Sequence, residues 1–136
     1  MLKLAKMTEK SETGKLGEDI ACKYLVQKGY RILERNHRQK WGEIDIVAMD
    51  HNGALALVEV KTVGGYDPYI SPEDQMTHSK IEKFKRAAYL YANNYFKKRD
   101  DSKGWRLDLI GINLNGNPSS SSGQVRCRLK HYKNIA

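Results

Sequence analysis

The residues best suited to chemistry lie in two short segments that are typical of strands. The first contains Glu43 and Asp45, and the second contains Glu59 and Lys61. Because alternate residues of a strand share a face, each pair is predicted to point to one side of a sheet. If the two strands are antiparallel neighbours, the three carboxylates and the amine meet there. The intervening residues predict an apolar layer on the opposite face: Ile44, Ile46, Val58 and Val60.

A carboxylate cluster of this kind is unfavourable unless a cation or a basic group neutralises it. The spacing of Asp45, Glu59 and Lys61 therefore predicts a site for a hard divalent metal, Mg²⁺ or Mn²⁺, with a lysine beside it. The alternative is a pair of surface salt bridges that join Lys61 to Glu59 or Glu43. Because both strands are otherwise strongly apolar, and apolar strands rarely carry charge, we favour the metal site.

A further candidate ligand, Glu18, lies on a predicted helix. It precedes Ala21 and Cys22 by about one turn, at the border of the apolar stripe, so its side chain can reach over the sheet edge. Taken alone, an acid in the first turn of a helix is explained by the helix dipole. Taken together with the strand acids, Glu18 is predicted to support the metal site.

The composition favours a nucleic-acid substrate. The 136 residues include 24 Lys+Arg against 16 Asp+Glu, and the formal net charge of +8 attracts polyanions and releases their counterions. Ordinary solubilising charge is the alternative explanation. Four basic residues near the predicted site are candidate contacts to nucleic acid, which is expected to be DNA: Arg35, Arg38, Lys40 and Lys80.

Other features exclude several protein classes. Cys22 and Cys127 are the only cysteines, so there is no disulfide framework and no zinc-binding cysteine pair. The chain has neither a signal peptide at its start nor an apolar run of membrane-spanning length. We therefore expect a cytoplasmic protein with no membrane partner, and a homodimer is compatible with the sequence.

The periodicities predict the element order α-β-β-β-α-β-β. The first helix is expected to begin near Thr13 or Gly14 and to end at Gly29. Strands are predicted at 30–34, 43–49, 54–62, 105–113 and near 125–130, with a long helix at 75–98. Residues 1–12 are expected to form a flexible arm and residues 13–136 a single domain. The natural fold is α/β, a mixed sheet flanked by helices.

Several short motifs occur in an ordered series, and together they resemble a known family. They are Gly14-x-x-Gly17-Glu18, Asn36-x-Arg38, Gly42-Glu43-Ile44-Asp45-Ile46-Val47 and Val58-Glu59-Val60-Lys61-Thr62. The series is similar to the YraN-like family of small bacterial endonuclease-like proteins. That family lies in the PD-(D/E)xK nuclease superfamily, with Holliday-junction resolvases and restriction endonucleases. The similarity continues through Lys80 and Arg106-Leu107-Asp108, and so covers roughly residues 13–113.

The resemblance implies a restriction-endonuclease-like αβββαβ core. It also implies metal ligation by Asp45, Glu59 and the backbone carbonyl of Val60, and it matches Glu18 to the helix glutamate of resolvase-like members. The chain departs from the family pattern in two places. Ile44 stands where the superfamily's name has proline, and Val63 stands where the family usually has arginine, which predicts the loss of a phosphate contact.

Three functional classes follow from these patterns. The first is a Mg²⁺-dependent nuclease that is selective for branched or repair intermediates. In this nuclease, Lys61 holds or polarises the attacking water, or neutralises developing charge. Glu43 is an auxiliary group, which either assists the site or balances the positive charge of Lys61 or Arg38. The second is a nucleic-acid-binding module that keeps the nuclease fold but does not cleave. The third is an adaptor that docks protein partners through the final strand.

Overall fold

The computed structural model describes residues 2–40, 42–64, 72–115 and 126–135, with side chains from residue 12 onward. The elements follow the predicted order α-β-β-β-α-β-β. The helices are α1 (Leu2–Gln27) and α2 (His78–Tyr95), and 3₁₀ turns at Pro72–Gln75 and Phe96–Lys98 flank α2. The strands are β1 (Arg31–Gln39), β2 (Gly42–Met49), β3 (Leu55–Gly64), β4 (Trp105–Asn115) and β5 (Arg126–Tyr132).

The five strands form one mixed sheet in the order β1-β2-β3-β4-β5. β3 and β4 are parallel, and every other neighbouring pair is antiparallel. The central strand β3 begins with Leu55, Ala56, Leu57 and Val58, all fully buried, as expected for a strand covered on both faces. The predicted fold class, a mixed sheet flanked by helices, is confirmed.

The two helices cover opposite faces of this sheet. The α1 side contains Ala21 and Leu25, which pack against Ile46, Val58 and other strand residues. The α2 side contains Phe84 and Ala88 within a second apolar cluster. Each helix therefore buries one apolar stripe against the sheet, and this packing fixes its position.

Several element boundaries differ from the sequence-based expectation. α1 begins at Leu2 rather than near Thr13 or Gly14. β1 continues to Gln39, so the basic segment that was expected to connect two strands is itself part of a strand. α2 begins at His78, because the Thr77 hydroxyl accepts a hydrogen bond from the Lys80 N–H at 3.3 Å and caps the helix there.

Other expectations stay predictions. The division into an arm and a single domain is one of them. Trp41 lies outside the described residues, and so do residues 65–71 and 116–125, which connect predicted helices and strands. Within the described part of the chain, no helix is both long and apolar enough to cross a membrane.

Candidate functional site

The candidate site lies where β2 and β3 stop pairing. The outermost pair of the β2–β3 ladder is Ile46 with Val58, and Asp45 and Glu59 are the next residues outward. There the Asp45 Oδ2 atom accepts a hydrogen bond from the Val60 N–H at 2.8 Å. A side chain thus takes the place of a backbone acceptor, and the two strands separate into a cleft.

The faces of β2 differ from the prediction in one respect. Ile44 and Ile46 were expected to share a face, but Ile46 packs on the α1 side and Ile44 on the α2 side. The alternation of period two is therefore interrupted at Asp45, at the end of the β2–β3 ladder. Val58 and Val60 both lie on the α1 side, as predicted.

The structure brings the predicted catalytic group together. One open cleft of about 770 Å³ is lined by the five charged candidates and by Val60. The charged members are Glu18, Glu43, Asp45, Glu59 and Lys61. The same cleft is also lined by residues that were not predicted as site residues: Thr13, Gly14, Thr62, Gly64 and Gln75.

Lys61 and Glu59 form an ion pair, with 3.2 Å between Nζ and Oε1, and both side chains are mostly buried. Burial raises the pKa of Glu59, and the neighbouring Lys61 opposes that rise. The salt-bridge alternative predicted this ion pair, and the metal-site interpretation, which places a lysine beside the carboxylates, is compatible with it. The electrostatics of Asp45 is what distinguishes them.

Asp45 has no ion-pair partner among the described residues. Burial, and secondly the charge of Glu59, raise the pKa of Asp45 from 3.8 to about 8. The hydrogen bond from the Val60 N–H opposes this rise, while Glu18 and Glu43 add to it. The cleft therefore has more carboxylate than it can neutralise, which is the charge pattern of a cation site.

The donors present fit a hard divalent cation. Within the described residues, no group of three or more His, Cys, Asp or Glu side chains converges into a ready-made metal site. Mg²⁺ does not require one, because it is commonly held by one or two carboxylates and keeps several waters. Asp45 and Glu59 would supply the carboxylates, and Val60, whose backbone carbonyl was predicted as a third ligand, lines the same cleft.

The position of Glu18 has a packing explanation. Gly17 is buried, and a Cβ atom added there would lie 1.9 Å from the Thr62 Oγ1 atom. Only glycine therefore allows α1 to approach β3 so closely, and this approach brings Glu18 to the cleft. The Glu18 carboxylate lies 3.6 Å from the Arg35 guanidinium, so an arginine compensates part of its charge.

The predicted basic contacts divide into two groups. Arg35 pairs with Asp19 at 2.8 Å, and Arg38 Nε lies 3.7 Å from Glu43 Oε1. Both arginines line a second groove of about 730 Å³ that shares Gly14, Glu18 and Glu43 with the cleft. Two predicted contacts, Lys40 and Lys80, are exposed but line neither groove.

A second polar cluster, which the sequence did not reveal, is centred on Asp108 in β4, two strands across the sheet from Asp45. Asp108 is fully buried and accepts hydrogen bonds from Arg106 Nε at 3.0 Å, His131 Nε2 at 2.8 Å and the Asn134 N–H at 3.0 Å. Arg106 also binds the Asp50 carboxylate at 2.7 Å. In the sequence, the sign of this cluster was a pair of charged residues, Arg106 and Asp108, two positions apart in an otherwise apolar strand.

Comparison with known sequences now identifies the family. The model described as Uncharacterised protein family UPF0102 matches residues 17–112. The chain belongs to the UPF0102 family. The matched segment includes every candidate catalytic and metal-binding residue, from Glu18 to Lys61. This confirms the family part of the resemblance, whereas the wider nuclease placement stays a proposal.

Individual relatives extend over most of the chain. A UPF0102 protein of Persephonella marina is 46% identical over 100 residues, which cover 73% of this chain and 81% of that protein. One of Flavobacterium johnsoniae is 40% identical over 110 residues, covering 81% and 88%. One of Desulforamulus reducens is 35% identical over 128 residues, covering 93% and 96%.

Proposed function

We propose that this UPF0102 protein is a divalent-metal-dependent nuclease that hydrolyses phosphodiester bonds of DNA, with branched or flapped molecules as substrates. The observation that carries the proposal is the meeting of Asp45, Glu59 and Lys61 in one open cleft where β2 and β3 separate. A polyanion cannot approach surplus carboxylates favourably unless a cation lies between them. The site therefore makes physical sense as a metal-bridged phosphate site.

Each residue has a specific role in this proposal. Asp45 and Glu59 would hold Mg²⁺ or Mn²⁺, which when bound polarises the phosphate and generates a nucleophilic water. The Lys61 ammonium donates hydrogen bonds to the attacking water or to the phosphate oxygens on which charge develops. Its ion pair with Glu59 orients the lysine side chain toward the metal-binding carboxylates. Glu18 supports the site from α1, and Glu43 acts outside it, as the partner of Arg38.

The surroundings of the cleft suit a nucleic-acid strand. The adjacent groove carries Lys15, Arg35 and Arg38, and the whole chain has a net charge of +8. Contacts of this type bind phosphates and carry no sequence information. We therefore expect recognition of the structure of the DNA rather than of its sequence.

The test is metal-dependent cleavage of a panel of branched, flapped, single-stranded and duplex DNA. The wild type should cleave at least one branched or flapped substrate with Mg²⁺ or Mn²⁺. Asp45→Asn and Lys61→Ala should each reduce single-turnover cleavage by about 100-fold or more. Lys103→Ala, which changes an exposed lysine before β4, is the matched control and should cleave like the wild type. Lys61→Ala should still bind DNA, because many other basic groups attract phosphates.

Two results would replace the proposal. If the wild type binds DNA, with an affinity that falls steeply with salt, but cleaves nothing with either metal, the protein is a non-cleaving binding module. If it binds no nucleic acid at low salt, both nucleic-acid functions fail. The adaptor class then remains, and β5, an edge strand with exposed Arg126 and Arg128, is the surface to examine.

A further inference from the structure

Another groove, distinct from the cleft and from the groove lined by Arg35 and Arg38, lies between α2 and the start of β4. It encloses about 630 Å³, and Tyr89, Leu90 and Trp105 form much of its lining. Trp105 pairs with Leu55 at the beginning of β3, whereas Lys61 lies near the other end of that strand. With a rise of about 3.3 Å per residue, the two sites are separated by roughly 20 Å along β3.

The groove exposes apolar side chains that a folded domain normally buries. Tyr89 is 59% exposed and Leu90 is 40% exposed, and among the described residues the only other exposed large hydrophobic residue is Val26. Tyr89 contacts Trp105 in a T-shaped arrangement, with ring centroids 6.0 Å apart and planes at 74°. Tyr89 is exposed and Trp105 is half-buried, and adjacent aromatic surface of this kind is typical of an interaction site.

Basic side chains of α2 flank Tyr89 at helical spacing. Lys85 and Arg86 precede Tyr89 by four and three residues, so all three lie along one side of α2. Lys85 is 3.6 Å from Glu82, and Arg86 forms no ion pair with any residue in the described segments. The α2 side of the groove, with two cations and one acid, therefore has net positive charge.

We propose that this groove binds a single-stranded segment of nucleic acid, with unpaired bases stacked on Tyr89 and Trp105 and phosphates on Arg86 and Lys85. Aromatic platforms beside a basic track are the usual means of single-strand binding. A duplex fits poorly, because its base faces are already stacked on each other. A second copy of the chain also fits poorly, because a symmetric contact would place the same basic residues against each other.

This inference rests on the nucleic-acid substrate class of the proposed function, and it adds a preference for a substrate with an unpaired arm. It predicts that the protein holds such an arm at the α2–β4 groove while the cleft acts on the phosphodiester. Stacking depends on the ring and not on the hydroxyl of Tyr89. Replacement of the ring and removal of the hydroxyl should therefore have different effects.

The experiment is fluorescence anisotropy with labelled oligo(dT) and with a blunt duplex, both in EDTA so that no cleavage occurs. Tyr89→Ala should weaken oligo(dT) binding about tenfold, since one stacked base contributes an effect of that order. Tyr89→Phe should bind within about twofold of wild type, because it keeps the ring. Duplex binding should not change in either variant. Urea unfolding of each variant verifies that the fold is intact.

Three outcomes would overturn the inference. Tyr89→Ala could bind oligo(dT) as tightly as the wild type, or it could lose oligo(dT) and duplex equally. It could instead dissociate a wild-type dimer in sedimentation velocity, which would make the groove an interface between copies. The proposed nuclease activity fails separately, if Tyr89-dependent oligo(dT) binding is found in a wild type that cleaves no substrate.

Discussion

Two aspartates in neighbouring parts of the same sheet have opposite electrostatic environments. Asp108 in β4 is fully buried, yet its pKa lies below the ordinary value. Asp45 in β2 retains some exposure at the cleft, yet its pKa is raised to about 8. Burial alone would raise both pKa values, so it does not explain the difference.

The difference lies in what faces each carboxylate. Burial acts to raise the pKa of Asp108, but hydrogen bonds from His131 and Asn134 and the charge of Arg106 lower it overall. Asp45 faces Glu59 and receives one backbone hydrogen bond. Arg106 and His131 compensate the charge of Asp108, whereas no cation among the described residues pairs with Asp45. Under the proposed function, this contrast separates a structural acid from one that binds a metal ion.

The largest expected effect comes from removing the structural acid. Asp108→Asn should lower the free energy of unfolding by about 3 kcal/mol, because it leaves buried Arg106 and His131 without their shared anion. Urea denaturation at pH 7 measures this. Asp45→Asn, which removes an acid of the same type from the cleft, is the matched comparison and should be neutral or stabilising. Equal losses in the two variants would abolish the distinction between the structural acid and the cleft acid.

Divalent metal should act on the cleft and not on the Asp108 cluster. At 100 times its dissociation constant, Mn²⁺ should stabilise the wild type by about 2.7 kcal/mol, because it binds the folded cleft and not the unfolded chain. Thermal unfolding with and without EDTA tests this. Asp100→Asn, an exposed acid in the turn before β4, should keep the full effect, and Asp45→Asn should lose most of it. If Mn²⁺ stabilises Asp45→Asn as much as the wild type, the metal lies elsewhere.

The two acids should also respond to pH with opposite signs. Folded Asp45, with its pKa near 8, keeps a proton that the unfolded chain releases near pH 4, so rising pH through this window destabilises the metal-free protein. Between pH 5 and 7 we expect a loss of up to about 2.7 kcal/mol relative to Asp45→Asn, since one proton corresponds to about 1.4 kcal/mol per pH unit. Urea denaturation in EDTA across this range gives the difference. Parallel pH profiles of the two proteins would contradict it.

Asp108 should dominate the acid limb of the same profile. Its folded pKa is lowered, so its stabilisation is complete above the unfolded value of about 3.8 and is lost as pH falls through the folded pKa. The wild type should therefore unfold on acidification below pH 4. Asp108→Asn should show a shallower acid limb, because it has no such carboxylate to protonate.

The cleft was predictable from the sequence because its signal is local. Charged residues at alternate positions in two apolar segments predicted the convergence of Asp45, Glu59 and Lys61, and short-range periodicity placed both strands. The interruption at Asp45 was not predictable in this way, because it arises where the β2–β3 ladder ends. Periodicity describes a regular strand and cannot indicate where the pairing of two strands stops.

The Asp108 network was not predictable for a different reason. Its members come from the β2–β3 turn, from β4 and from the C-terminal segment, and only the assembled sheet makes them neighbours. The start of α1 at Leu2 was likewise missed, since a largely polar segment has no apolar stripe to indicate a helix. The close contact of Gly17 with Thr62 explains a glycine that the sequence presented only as part of a motif.

The smallest expected effect tests how complete the Asp108 network is. The Tyr24 hydroxyl lies 3.1 Å from His131 Nδ1, and His131 Nε2 lies 2.8 Å from Asp108. If Nε2–H donates to the Asp108 carboxylate, neutral His131 accepts a hydrogen bond at Nδ1 from the tyrosine. Tyr24→Phe removes this bond but keeps the T-shaped ring contact, so it should cost about 1 kcal/mol in urea denaturation.

The same Tyr24→Phe change in the Asp108→Asn and Asp45→Asn proteins tests whether Tyr24 and Asp108 act together. In the Asp108→Asn protein the histidine has lost the anion that fixes its tautomer, so the same Tyr24→Phe change should cost measurably less. In the Asp45→Asn protein its cost should be the same as in the wild type, because Asp45 shares no hydrogen-bond partner with Asp108 or His131 among the described residues. An equal cost in all three backgrounds would mean that Tyr24 binds His131 independently of Asp108. The network around Asp108 would then be limited to Arg106, His131 and Asn134, and would not extend through His131 to α1.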